Sequence, residues 1–207
     1  MTGPQQIHLS WDQAPGTLLG ALRERCVSVG VVGVTGPVGA GKSLLTNRLC
    51  TLGGVCLATD DYLPDYDKVK YEDRDDPEKA DLPLLIENIN TLRRGEAANI
   101  PKWSFHSHAR EGYREVAPRP MVVIEGIHAL HDRILPHLNL CVFVEAPPLV
   151  RWKRWEHLEL SGQRGWGVEV AKQFFDSVAE PTYARFAPVY RSRAHFVVRN
   201  ESGLPSM

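Results

Sequence analysis

Gly36-Pro37-Val38-Gly39-Ala40-Gly41-Lys42-Ser43 fits the G-x-x-x-x-G-K-[ST] phosphate-binding loop at every fixed position. The flanking sequence agrees with it. Residues 27–34 (VSVGVVGV) form an apolar, β-branched run that reads as a buried strand, and residues 43–50 (SLLTNRLC) open a helical pattern with Leu44, Leu45 and Leu49 on one side. Strand, glycine loop and helix is the order this loop needs. The glycines let backbone N–H groups curl around phosphate oxygens, and the helix N-terminus adds partial positive charge. Lys42 is placed to reach the β- and γ-phosphates, and the Ser43 hydroxyl to hold Mg²⁺. A chance glycine-rich turn is the competing reading, and the matched flanks argue against it. The motif therefore implies that Gly36 to Ser43, with Leu44 at the start of the helix, binds a nucleoside triphosphate such as ATP.

At 207 residues with a formal net charge of −1, the chain suits one α/β domain. The charge balance gives no electrostatic case for a nucleic-acid partner. Acidic residues cluster at Asp60, Asp61, Asp65, Asp67, Glu72, Asp73, Asp75 and Asp76, whereas Arg151, Lys153, Arg154 and Arg164 lie far along the chain. That separation suits a site where acids meet metal and hydroxyls while bases meet phosphates; two solvated faces would also account for it. Cys26, Cys50, Cys56 and Cys141 show no C-x-x-C spacing and read as small hydrophobes in a reducing compartment. Residues 1–15 lack a basic start and an apolar stretch, and no segment is long enough to span a membrane. The expected location is the cytoplasm, with no membrane partner. A homo-oligomer is compatible with the chain.

Working outward, residues 1–16 read as a loose arm and 17–26 as a short helix. Residues 53–59 read as a strand, and 60–80, acidic and carrying Pro64 and Pro77, as a site loop. Residues 82–94 carry a helical apolar stripe closed by Gly95. Residues 96–120 look irregular, with prolines at 101, 118 and 120. Residues 121–124 and 140–144 are buried strands. Residues 149–160 and 168–178 read as helices flanking a Gly-rich link at 161–167, followed by a helix at 181–192 and a strand at 195–198. Strands alternating with helices predict an α/β fold with a parallel sheet of about five strands, covered by helices on both faces.

Phosphoryl transfer needs a phosphate cradle, a metal, a base for the acceptor hydroxyl and cations near the transferring group. Glu125 ends the strand MVVIE, facing the ligand crevice of such a sheet, where it suits Mg²⁺ or its water. Asp60 also follows a strand directly and is the best candidate general base, with Asp61 as its rival. Arg151, Arg154 and Arg164 surround the Gly-rich link, whose glycines 162, 165 and 167 would let it move as a lid over phosphates. Leu160-Ser161-Gly162-Gln163 has a passing likeness to a transporter ATPase signature, but its Asp-Glu strand is missing downstream. No Asn-Lys-x-Asp run marks guanine binding. His106 and His108 lack a third ligand for a metal pair.

From about residue 27 to 199 the chain resembles the uridine kinase and phosphoribulokinase family, and within it the uridine–cytidine kinases. Beyond the phosphate loop the likeness rests on Thr59-Asp60-Asp61-Tyr62, on Asp75-Asp76-Pro77-Glu78-Lys79-Ala80-Asp81, on Pro101-Lys102-Trp103-Ser104-Phe105-His106-Ser107-His108-Ala109-Arg110 and on Ile124-Glu125-Gly126-Ile127. The resemblance implies that Asp60 is the catalytic base and that Glu125 serves magnesium. It further implies that Asp75 binds ribose hydroxyls, and that Trp103 and His108 hold the base. Lys42, Arg154 and Arg164 are then expected to act on the phosphates, and Tyr62 and Arg151 to line the acceptor site. The chain departs from the family pattern at Trp103 (usually Tyr), Ser104 (Asp), Asp76 (His), Lys79 (Ala), Trp155 (Asp) and Trp166 (Arg). A flat Trp103 offers more stacking area than Tyr, and His108 can donate or accept at a base edge.

The resulting expectation is a single kinase domain over 1–207, with an acceptor-binding insertion at 60–120 and a lid at 151–167. It would move the ATP γ-phosphate to the 5′-hydroxyl of uridine or cytidine. Another hydroxylated acceptor, such as nicotinamide riboside or a sugar phosphate, is the alternative within the same chemistry. A non-catalytic nucleotide-binding regulator is the alternative from another class.

Overall fold

The computed structural model describes residues 6–26 and 28–201. Six parallel strands form the central sheet: β1 (Ile7–Ser10), β2 (Gly30–Thr35), β3 (Gly54–Ala58), β6 (Met121–Glu125), β7 (Leu140–Glu145) and β8 (Phe196–Arg199), in the order β1-β8-β7-β2-β6-β3. The helices are α1 (Ala14–Arg25), α2 (Lys42–Thr51), α3 (Leu82–Arg93), α4 (Pro148–Leu160), α5 (Val168–Phe174) and α6 (Glu180–Arg193). A single π turn, Phe175–Ala179, carries α5 into α6.

Strands β2, β6 and β7 are apolar on both sides because both faces of the sheet are covered there. Along β2, Val32 and Val34 pack with Leu18, Leu22, Leu45 and Leu49 of α1 and α2. Val31 points the other way, into a cluster with Leu82, Leu85, Ile89 and Leu92 of α3. Cys141, Phe143 and Val197 meet Tyr183 and Tyr190 of α6. Helix α3 shows how local sequence sets an element. Asp81 caps it by accepting from Leu84 N at 3.2 Å, a proline sits in its first turn, and Gly95 stops it at φ 80°.

Two expectations are corrected here. The arm at 1–16 is structured where it is described. Ile7–Ser10 adds a sixth strand beside β8, and α1 begins at Ala14, buried with Pro15 and Leu18. Three exposed residues out of four disguise that strand, because it lies at the sheet edge and buries only Leu9. The part of the loose arm expected at residues 1–5 lies outside the described residues. The segment 96–120 is an antiparallel ribbon, β4 (Ala98–Ser104) with β5 (Ala109–Val116). Its prolines hid it. Pro101 is tolerated because a two-stranded ribbon is all edge, and the pairing shifts register between Pro101 and Trp103.

Candidate active site

Sheet register assembles the site. Glu125 at the end of β6 lies opposite Val34 of β2 on one side and Ala58 of β3 on the other. The phosphate loop leaves β2 just beyond Val34, and Asp60 follows Ala58 directly. The loop, the metal candidate and the base candidate therefore meet at the carboxyl edge of adjacent parallel strands, where open α/β sheets bind ligands.

The loop itself requires glycine. Gly39 and Gly41 take φ of 73° and 99°, and a Cβ there would strike the Arg151 carbonyl oxygen and Asn200 Nδ2 respectively. Helix α2 starts at Lys42, so its first-turn amides face the cradle, while the Leu44 side chain is exposed. Lys42 is buried and its ammonium donates to Pro37 O at 3.1 Å. Burial lowers its pKa, and the carboxylates of Glu125 and Asp60 oppose that shift. The Ser43 hydroxyl donates to Glu125 Oε2 at 3.3 Å. This pair of hard oxygen donors beside a phosphate cradle fits Mg²⁺, which takes few protein ligands and completes its shell with phosphates and water.

The acids are tuned. Burial raises Asp60, with Arg164 and Lys42 pulling it back. Burial pushes Glu125 to about 7 against the pull of Lys42. Asp75 also rises to about 7, through burial and then the Asp60 charge. Perturbed acids gathered in one crevice mark a functional site. Asp61 has a different job. It accepts from Trp103 N at 3.2 Å and pairs with Arg114 at 3.2 Å, tying the turn after β3 to the ribbon. Asp60 couples electrostatically to Lys42 and Arg164, whereas Asp61 is engaged by the scaffold.

Arg164 lies half-buried, its guanidinium 3.5 Å from the Phe105 ring centroid. Burial lowers its pKa, with Asp60 opposing. The link carrying it is seated by Glu159, which accepts from Trp155 Nε1, Trp166 N and Gly167 N at 3.0, 3.2 and 3.0 Å. Trp166 stacks on His108 at 4.7 Å and 10°, and Tyr66 stacks on His108 at 5.4 Å. Trp103 tilts against Tyr66 at 5.1 Å. Together with Arg74, whose Cζ lies 4.7 Å from the Tyr66 ring, the rings of Tyr66, His108 and Trp166 border a cleft of about 390 Å³, with Trp103 behind Tyr66. Among the described residues, Trp103 Nε1 and Arg74 Nε are buried donors with no partner.

Three expected site residues do other work. Tyr62 is fully buried in the core, its hydroxyl accepting from Asn88 Nδ2 at 3.0 Å. Arg151 is buried and makes a bidentate pair with Glu180 at 2.5 and 2.6 Å, while donating to Val38 O and Ala146 O. It braces the phosphate loop through the Val38 carbonyl. Arg154 donates to the carbonyls of Gly39 and Ala40 at 2.9 and 3.2 Å and to Asn200 Oδ1 at 3.1 Å, bracing the same loop. Sequence reasoning missed Tyr66, Arg74 and Asn200. An aromatic and an arginine inside an acidic loop were the available signal for the first two. Asn200 lies past the last strand and carried none.

The profile of the Phosphoribulokinase / Uridine kinase family matches residues 31–202. A uridine kinase of Staphylococcus aureus (strain JH9) is 26% identical over 179 residues, covering 81% of this chain and 86% of that one. Inorganic pyrophosphatase TTM2 of Arabidopsis thaliana is 37% identical over 117 residues, or 55% of this chain; the match spans only 17% of that protein's length. Among solved structures, a candidate fructose transport system kinase from Silicibacter sp. TM1040 superposes with a TM-score of 0.71 at 18% identity, covering 89% of this chain and 97% of that one. A candidate uridine kinase from Bacillus stearothermophilus gives 0.59 at 16%, covering 90% and 96%. These two likenesses show the fold.

Proposed function

The chain belongs to the phosphoribulokinase / uridine kinase family, and from that premise we propose that it moves the γ-phosphate of ATP to the 5′-hydroxyl of uridine or cytidine. The observation that carries this reading is the convergence of Lys42, Asp60, Glu125 and Arg164 where β2, β3 and β6 end.

Lys42 and the loop amides hold the β- and γ-phosphates. Ser43 and Glu125 would hold Mg²⁺, which would supply charge neutralisation to the transfer. Asp60 takes the hydroxyl proton as the acceptor oxygen bonds to γ-phosphorus and the bond to the β-phosphate oxygen breaks, releasing ADP. Its raised pKa makes it a better base than a free carboxylate. Arg164 stabilises the charge on the phosphoryl group in flight, and the link 161–167 acts as a lid. Asp75 accepts from the ribose hydroxyls. Trp103, Tyr66 and His108 hold the base. Among the described residues no helix is long and apolar enough to cross a membrane, and we place the enzyme in the cytoplasm.

The test is ADP release with ATP and Mg²⁺ against uridine, cytidine, nicotinamide riboside, fructose and sugar phosphates. Release that depends on uridine or cytidine supports the reading. Release with a non-nucleoside alone removes the pocket assignment and keeps the kinase. ATP binding without acceptor-dependent release makes the protein a regulator.

A further inference from the structure

His128 follows Glu125-Gly126-Ile127 and is 6% exposed. Its ring nitrogens bond in opposite directions. Nε2 lies 2.8 Å from the backbone carbonyl oxygen of Asp75, and Nδ1 lies 3.0 Å from the Tyr190 hydroxyl. A carbonyl only accepts, so Nε2 carries the proton. Burial holds the imidazole neutral, with its pKa down at about 4, so Nδ1 accepts from Tyr190. Tyr190 is 1% exposed on α6, and the His128 ring also meets the Phe186 ring edge-on at 5.0 Å. His131, on the same turn, adds a second tie, with Nε2 3.2 Å from Glu78 Oε1.

These ties bear on one stretch. The segment around Asp75 contains only short 3-10 turns, Tyr71–Asp73 and Pro77–Lys79. It has no ladder to fix it, yet it must present a carboxylate next to Asp60. The turn after β6 is held by hydrogen bonds from Gly126 N to Val34 O at 3.2 Å and from His131 N to His128 O at 2.9 Å, and it continues the strand that ends in Glu125. A hydrogen bond from that turn to the main chain of Asp75 sets the acceptor carboxylate in register with the catalytic edge.

We propose that His128 is a positioning residue for the acceptor: it fixes the Asp75 main chain, and Tyr190 fixes the imidazole. The proposal rests on the reading of Asp75 as the acceptor-binding carboxylate. It assigns His128 no contact with substrate.

The test is steady-state kinetics on the full chain with the phosphorylated acceptor from the screen, alongside thermal melting. His128→Ala is expected to raise the acceptor KM about tenfold, the size of one lost buried hydrogen bond, with the ATP KM and kcat within about twofold. His128→Gln retains an N–H donor at the far end of the side chain and should recover most of the acceptor affinity. Tyr190→Phe should fall between them. If His128→Ala does not fold, the Gln and Phe variants carry the comparison. Parallel losses in kcat and both KM values that track the melting temperature, with no recovery in the Gln variant, overturn the proposal. Asp75→Asn separates the two readings. A raised acceptor KM in Asp75→Asn with wild-type values in all His128 and Tyr190 variants removes the role of His128 alone. An unchanged acceptor KM in Asp75→Asn removes the acceptor site and the proposal with it.

Discussion

The phosphate-loop side and the ribbon side of this crevice are built on different principles. The loop between β2 and α2 works through its backbone: glycines at φ values closed to other residues, amides at a helix end, and carbonyls braced by Arg151, Arg154 and Asn200. The side formed by the turn after β3, the acidic segment and the β4–β5 ribbon works through side chains: Tyr66, Trp103 and His108 packed ring on ring, with Arg74 against Tyr66 and Trp166 stacked on His108 from the link 161–167. Backbone machinery tolerates little substitution and reads any triphosphate alike. Side-chain machinery can be exchanged residue by residue, so acceptor choice is expected to reside there.

The largest effect should come from the loop. Lys42→Ala is expected to abolish measurable transfer, and Ser43→Ala to weaken Mg²⁺-dependent ATP binding in calorimetry. Normal affinity and turnover in both would break the comparison at its stronger side. Next is the junction of the two sides. Asp60→Asn should lower kcat by about 10²–10⁴-fold, the usual range for a lost general base, with ATP affinity little changed. Asp61→Asn should instead loosen the ribbon and raise the acceptor KM. The reverse order would move the base to Asp61.

Arg151→Ala sharpens the contrast between bracing and binding. It leaves Glu180 without its bidentate partner, and breaking such a pair costs about 3 kcal/mol. A lower melting temperature with an unchanged acceptor KM is the expected result; a selective loss of acceptor affinity would return Arg151 to the acceptor site. On the ribbon side, Trp103→Ala should raise the nucleoside KM by about one to two orders of magnitude, since stacking on an aromatic is worth roughly 1–3 kcal/mol per base. The ATP KM should hardly move.

The smallest effect is a dependence on pH. Asp75 and Glu125 ionise near 7 in the folded protein, against 3.8 and 4.5 when unperturbed. The folded state binds these protons more tightly than the unfolded state. Their contribution to stability is therefore complete below about 4 and is lost as pH rises through about 7. The ligand-free protein should melt at a lower temperature at pH 8 than at pH 5.5, and Asp75→Asn and Glu125→Gln should each flatten that slope. A slope that both variants leave intact would mean that other groups set it.

Local sequence made much of the fold readable. The apolar runs of β2, β6 and β7 and the stripe of α3 gave their own positions, because burial on both faces or on one helix side leaves a period in the residues. The elements that escaped are those with little burial to report: β1 at the sheet edge and the β4–β5 ribbon, where Tyr113 stands out to solvent and Pro101 imitates a break.

By itself the sequence determined the phosphate loop, the Glu125 strand end and the kinase-family pattern, since each depends on residues adjacent in the chain. Tertiary structure alone decided which of Asp60 and Asp61 couples to the lysine, that Tyr62 belongs to the core, and that Arg151 and Arg154 hold carbonyls of the phosphate loop. It alone brought His128 against the main chain of Asp75 and Tyr190 against the His128 ring. The physical reason is one of distance. A backbone motif is closed within a few residues, whereas the partner of a charged or aromatic side chain is chosen by strand order and helix packing, and no local pattern records it.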